Sequence, residues 1–143
     1  MAEPDLVQKM STLSVFQDVP EAELHQVADA MDEDHFPAGQ RILQENEQGM
    51  GFFFVVLDGS ATVNQHGKEI AVLKPGSFFG EITALNGGPR TASVVTKEPT
   101  WTLRLTDDNF RPFLERFPQV TFRILEEVCR RYQGLAVGAT ASS

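Results

Sequence analysis

The chain has 143 residues, enough for one domain with a hydrophobic core and short for two. Acids outnumber Lys and Arg by 20 to 12, a formal charge of −8, which counts against a nucleic-acid surface because phosphate backbones are held by basic patches. One cysteine excludes an internal disulfide, no Cys/His spacing suits zinc, no run of about 18 apolar residues offers a membrane span, and the acidic start is unlike a signal peptide, so a cytoplasmic protein is the expectation.

The front of the chain, residues 1–36, is expected to be helical. Leu6, Met10, Leu13, Val15 and Phe16 mark a short helix and a hydrophobic turn. Leu24, Val27, Ala28 and Met31 recur at helical spacing behind Pro20, Glu21 and Glu23, which suit a helix start. The acids between Glu21 and Asp34 are expected on a solvated helical face, and the segment ends near Pro37-Ala38-Gly39.

Residues 37–106 change pattern. Short β-like runs at 41–43, 52–57, 60–64, 69–73, 92–96 and 101–105 alternate with turns such as Asp58-Gly59, His66-Gly67 and Pro75-Gly76. Closely spaced short strands predict an antiparallel barrel or sandwich. The run Phe52-Phe53-Phe54-Val55-Val56-Leu57 is too short for a helix of its own and is expected as a buried strand.

Helices return over residues 107–135. Thr106 can cap a short turn, and Pro112 argues against one regular helix through 107–117. Pro118 opens a final helix with Thr121, Ile124, Leu125, Val128, Tyr132 and Leu135 on one face. Cys129 is expected as a small buried apolar residue, and residues 136–143 as a tail or linker. A final helix this short predicts a monomer. The fold class predicted is mainly β with flanking helices, arranged as one domain.

The most informative stretch is Phe79-Gly80-Glu81-Ile82-Thr83-Ala84-Leu85 followed by Gly87-Gly88-Pro89-Arg90-Thr91-Ala92-Ser93. Gly80 permits close backbone approach to a ligand. A helical turn over 81–85 leaves its first amides without internal partners, which suits an anion. Arg90 adds a planar fork for two phosphate oxygens. Glu81 makes sense as acceptor for a sugar hydroxyl, since a site built to bond that hydroxyl rejects the deoxy analogue. Each residue alone is more often an ordinary turn or surface residue; their joint order and spacing carry the argument.

This stretch, with Val56-Leu57-Asp58-Gly59 and Lys74-Pro75-Gly76-Ser77-Phe78-Phe79-Gly80-Glu81 before it, resembles the phosphate-binding cassette of the cyclic nucleotide-binding domain family. The resemblance covers nearly the whole chain and implies an antiparallel jelly-roll barrel over 37–106, with its cassette at 76–93 and a short cassette helix. It implies that Glu81 takes the ribose 2′-OH, that Arg90 pairs with the cyclic phosphate, and that Phe79, Gly80 and amides near Ile82, Thr83 and Ala92 complete the cage. Thr91 permits cGMP without demanding it, and cAMP is the expected ligand; no cofactor or metal is expected. The family covers the base with a side chain from the last helix or beyond, for which Arg130, Arg131 and Tyr132 are the candidates.

A binding module that repositions its C-terminal helix is therefore expected, not an enzyme, acting on an effector protein or a fused effector domain. The alternatives are the sensor half of a catabolite-activator-type transcription regulator and a degenerate domain that has lost its ligand. A cupin-like metal enzyme ranks below these, because His25, His35 and His66 are scattered.

Overall fold

The computed structural model, which describes residues 4–47, 52–81, 85 and 88–142, runs from helices through strands to helices. Helix α1 (Pro4–Ser11), a 3-10 turn (Ser14–Phe16) and helix α2 (Glu21–Asp29) precede eight strands. These are β1 (Asp32–Phe36), β2 (Arg41–Leu43), β3 (Phe52–Asp58), β4 (Ala61–Gln65), β5 (Lys68–Leu73), β6 (Phe78–Phe79), β7 (Ser93–Thr96) and β8 (Thr100–Thr106). Helices α3 (Asp107–Arg116) and α4 (Pro118–Ser142) follow.

The strands form two four-stranded sheets, β1-β8-β3-β6 and β2-β7-β4-β5, with every pairing antiparallel. They are the two layers of a jelly roll rather than a closed barrel, because no pairing among the described residues joins one sheet to the other.

Strand β3 explains the layering. Side chains alternate across a strand, and here both faces are apolar. Phe53, Val55 and Leu57 enter a core shared with α1, α2, the 3-10 turn, α3 and α4. Phe54 and Val56 enter a second core with Leu43, Ala61, Leu73, Phe79 and Val94, between the sheets. The first sheet is thus a middle layer, which is why residues 52–57 lack polar alternation. Phe16, Phe53, Phe78, Phe110 and Phe117 are each 2% exposed or less. At about 1.5–3 kcal/mol apiece such burial holds the helices on the sheet.

Four sequence expectations are corrected. The helical front stops at Asp29, and residues 32–36 form strand β1, paired with β8 from Asp32↔Arg104 to Phe36↔Thr100. Its acids point alternately to the two faces, where Asp34 and Asp32 meet Arg104 at 2.9 and 3.8 Å and Glu33 accepts the Trp101 Nε1–H at 2.8 Å. Pro112 lies inside α3 without ending it; the helix loses one backbone bond and is held by buried Phe110 and Phe113. Thr106 stands at its N-cap but its hydroxyl makes no capping bond.

The third correction concerns α4, which continues as helix to Ser142, through the residues expected as a tail. Its 25 residues remove the reason given for a monomer. The fourth is its apolar face. Val120 and Ile124 are buried, whereas Leu125, Tyr132 and Cys129 are exposed and Val128 stands at the edge of exposure.

Candidate functional site

The two residues of β6 aim in opposite directions. Phe78 enters the helical core, with its ring centroid 5.6 Å from that of Phe53. Phe79 enters the inter-sheet core, stacked on Phe54 at 4.8 Å. The pair anchors the entry to the cassette from both faces of the sheet.

Gly80 follows with φ +88°, in the left-handed region. A Cβ here would stand 2.1 Å from the Phe52 carbonyl oxygen. The glycine is therefore required by the close approach of β3, a reason distinct from the ligand approach inferred from sequence.

Glu81 and Leu85 both have helical backbone, as the expected cassette helix requires. Ile82, Thr83 and residue 84 between them lie outside the described residues, as do 86 and 87. The Glu81 side chain is only 12% exposed. Its Oε1 accepts a hydrogen bond from Arg131 Nη1 at 2.9 Å, and Arg131 Nη2 donates to the Phe78 carbonyl at 2.7 Å. The guanidinium also lies 4.4 Å from the centroid of the Phe78 ring, within cation–π range. Glu127, one turn earlier on α4, sits 3.6 Å from Arg131 Nε. One arginine thus ties the last helix to the cassette by two charge-assisted bonds.

The cassette's other end is fixed through its backbone. Arg90 N–H donates to the Glu47 carbonyl at 3.0 Å, and its own carbonyl accepts from Asn46 N–H at 2.8 Å. Its half-buried side chain belongs to a region where Thr91 is exposed and Ala92 half-buried. Gln65 Nε2 donates to the Thr91 carbonyl at 3.0 Å, and Glu45 N–H donates to the Ser93 hydroxyl at 2.8 Å.

Sequence reasoning missed Glu45. Its carboxylate is 14% exposed, accepts the His66 N–H at 2.9 Å and lies 3.4 Å from His66 Nδ1. It pins the β4–β5 turn to the strand beside the cassette. Nothing in the linear stretch Gln44-Glu45-Asn46-Glu47 singles it out, because its partners come from residues 66 and 93.

Of the three lid candidates, Arg131 reaches the cassette. Arg130 pairs with Glu127 and lines a polar cleft of about 190 Å³ between the 3-10 turn, the Pro75-Gly76-Ser77 turn and α4. Tyr132 is 72% exposed. A second cleft, about 470 Å³, lies between α1 and α2, and neither is lined by Glu81 or Arg90. No cluster of metal-ligating side chains is found among the described residues.

A profile of the cyclic nucleotide-binding domain matches residues 33–117. The chain belongs to that family. It is 34% identical over 100 residues to the cGMP-dependent protein kinase egl-4 of Caenorhabditis elegans, a match covering 66% of this chain and 13% of the kinase. The chain therefore spans a small part of the curated relatives it matches. Among solved structures it is similar to the Thermus thermophilus catabolite activator protein, with a TM-score of 0.79, 23% identity, and 89% of this chain matched to 62% of that one. It is also similar to the regulatory subunit of a cAMP-independent protein kinase A from Trypanosoma brucei, with a TM-score of 0.73, 25% identity, and 91% of this chain matched to 48% of that one. Family membership fixes the regulatory class of this domain, and no described helix is long and apolar enough to cross a membrane.

Proposed function

We propose that this domain binds cAMP, and admits cGMP, as a cytoplasmic regulatory module that acts on an effector protein or a fused effector domain rather than catalysing a reaction. The observation that carries the reading is Glu81, a largely buried carboxylate at the start of the cassette turn, gripped from α4 by Arg131. In this account the ribose 2′-OH donates to Glu81, while Arg90 and the first amides of the turn hold the cyclic phosphate.

A carboxylate offers about four lone-pair sites, so Glu81 can keep Arg131 on one oxygen and take a hydroxyl on the other. Nucleotide and latch then reinforce one another. Ligand bound at Glu81 favours the conformation in which α4 is docked, and the gain in docking equals the gain in affinity. Signalling is that shift in α4, with no bond made or broken in the nucleotide. Thr91, exposed beside Arg90, carries a hydroxyl that can bond the amino group of a syn guanine, which admits cGMP without requiring it.

The competing reading is a domain that has kept the fold and lost the ligand. It draws support from the same latch, because Arg131 already satisfies Glu81, and from the cAMP-independent description of the Trypanosoma relative. Calorimetric titration with cAMP, cGMP and 2′-deoxy-cAMP decides between them. The proposal expects saturable binding of cAMP, weaker binding of the deoxy compound, and no difference between the two once Glu81 is replaced by Ala. Heat of dilution alone with all three ligands overturns it.

A further inference from the structure

The arginine end of the cassette is held by residues to which the nucleotide reading gives no part. Asn46 N–H donates to the Arg90 carbonyl at 2.8 Å, and Arg90 N–H donates to the Glu47 carbonyl at 3.0 Å. Glu45 N–H donates to the Ser93 hydroxyl at 2.8 Å. A second element, the β4–β5 hairpin, reaches the same segment, where Gln65 Nε2 donates to the Thr91 carbonyl at 3.0 Å.

The Glu45 side chain joins these two supports. His66 follows Gln65 in the turn, and its N–H donates to Glu45 Oε1 at 2.9 Å. The imidazole is 83% exposed, so water screens its attraction to the carboxylate, and the bond to the backbone N–H is the firmer contact. Residues 45, 65–66 and 91–93 thus close a ring of contacts drawn from three separate parts of the chain.

The backbone shows that this ring is held under constraint. Gln65 pairs with Lys68, so the hairpin turns on two residues, His66 (φ +54°) and Gly67 (φ +78°). Such a turn needs positive φ at both centres and is most often Asn-Gly. A histidine in the first place carries a conformational cost and persists only where its surroundings over-determine it. Asn46, beside Glu45, is left-handed as well, with φ +67°.

We infer that Glu45 is a positioning residue for the nucleotide, an inference that rests on the binding function proposed above. Its carboxylate ties the β4–β5 turn to residues 45–47 and so fixes the backbone of 90–93, from which Arg90 presents its guanidinium. Glu45 itself touches no ligand in this account. A planar fork grips two phosphate oxygens only when the backbone that carries it is fixed. Without the carboxylate, the His66 N–H loses its acceptor, the turn relaxes, and Gln65 is drawn off the Thr91 carbonyl. The backbone bonds of Asn46 and Arg90 remain, so the segment loosens without unfolding.

Calorimetric titration with cAMP and amide hydrogen exchange by NMR test this on the full chain. The variants are Glu45→Ala, Glu45→Gln, Gln65→Ala and the double variant Glu45→Ala/Gln65→Ala. Glu45→Ala is expected to bind cAMP at least about fivefold more weakly, and its Asn46 and Arg90 amides should exchange faster. Glu45→Gln keeps an oxygen for the His66 N–H and should restore both readouts, which separates the tie from the charge. Because the carboxylate acts through the turn, the double variant should bind little more weakly than Glu45→Ala alone. Unchanged affinity in Glu45→Ala, no recovery in Glu45→Gln, or losses that add in full would each overturn the inference. Should Glu45→Ala fail to fold, Gln65→Ala carries the test with the same expectation of weaker binding and faster exchange. A wild type that binds no cAMP overturns the proposed function instead. Exchange then decides alone, and unchanged rates at Asn46 and Arg90 overturn the tie.

Discussion

Replacing Gly80 by Ala separates two reasons for its presence. The new Cβ meets a conformational cost, because φ is +88°, and a steric one, because it falls 2.1 Å from the Phe52 carbonyl oxygen. Ordinary van der Waals contact begins at 3.4 Å, so the overlap exceeds an ångström and involves backbone on both sides. The left-handed conformation costs an L-residue about 1–2 kcal/mol, and overpacking that displaces backbone adds about 1–3 kcal/mol. The expected loss is about 2–5 kcal/mol, a large part of the roughly 5–15 kcal/mol that holds a domain folded. Gly39→Ala is the control: φ is +78° and no atom lies within 4 Å of its Cβ, so only the conformational cost applies. Urea unfolding of both variants measures the difference directly. Equal destabilisation would refute the close approach of β3 and leave ligand binding as the reason for the glycine.

Further substitutions probe the latch and the sheet. Arg131→Gln removes two bonds to Glu81 and Phe78. Such bonds reach about 1.5–3 kcal/mol when buried; with Arg131 35% exposed the expected loss of stability is about 1 kcal/mol, together with faster hydrogen exchange in α4 beyond Ile124. Because latch and nucleotide are linked in the proposed mechanism, the same variant should bind cAMP roughly 5- to 150-fold more weakly by calorimetry. Unchanged affinity would uncouple α4 from the ligand. Thr102 is fully buried in β8, and its hydroxyl oxygen lacks a hydrogen-bond partner among the described residues. Thr102→Val should therefore hold or raise the urea midpoint; a drop worth more than about 1 kcal/mol would mean that the hydroxyl is satisfied after all.

The β-rich middle was legible because β3 is buried on both faces and glycine turns punctuate its neighbours, so six strands lie within a residue or two of their expected positions. Strand β1 was not, since Asp32-Glu33-Asp34-His35 has the composition of a solvated helix. Its acids are accommodated by Arg104 and Trp101, which come from about 70 residues further on. The two residues of β6 are too few for any periodicity. Pro112 was overestimated because packing of Phe110 and Phe113 outweighs one lost backbone bond. The cassette was legible as a composite of ordered residue types. Its tie to α4 was not, because Arg130, Arg131 and Tyr132 are consecutive and only the direction of α4 selects Arg131. The same direction turns Cys129, expected to be buried, and Tyr132, expected on the apolar face or as a lid, to the outside.

The central claim is that Arg90 and Glu81 together hold a cyclic nucleotide. Calorimetric titration of cAMP into the wild type and Arg90→Ala tests it most directly. The account expects one site per chain in the wild type and a loss of about 2–5 kcal/mol in the variant, the scale for leaving a buried charged partner unpaired. Equal affinity in the two proteins would contradict it.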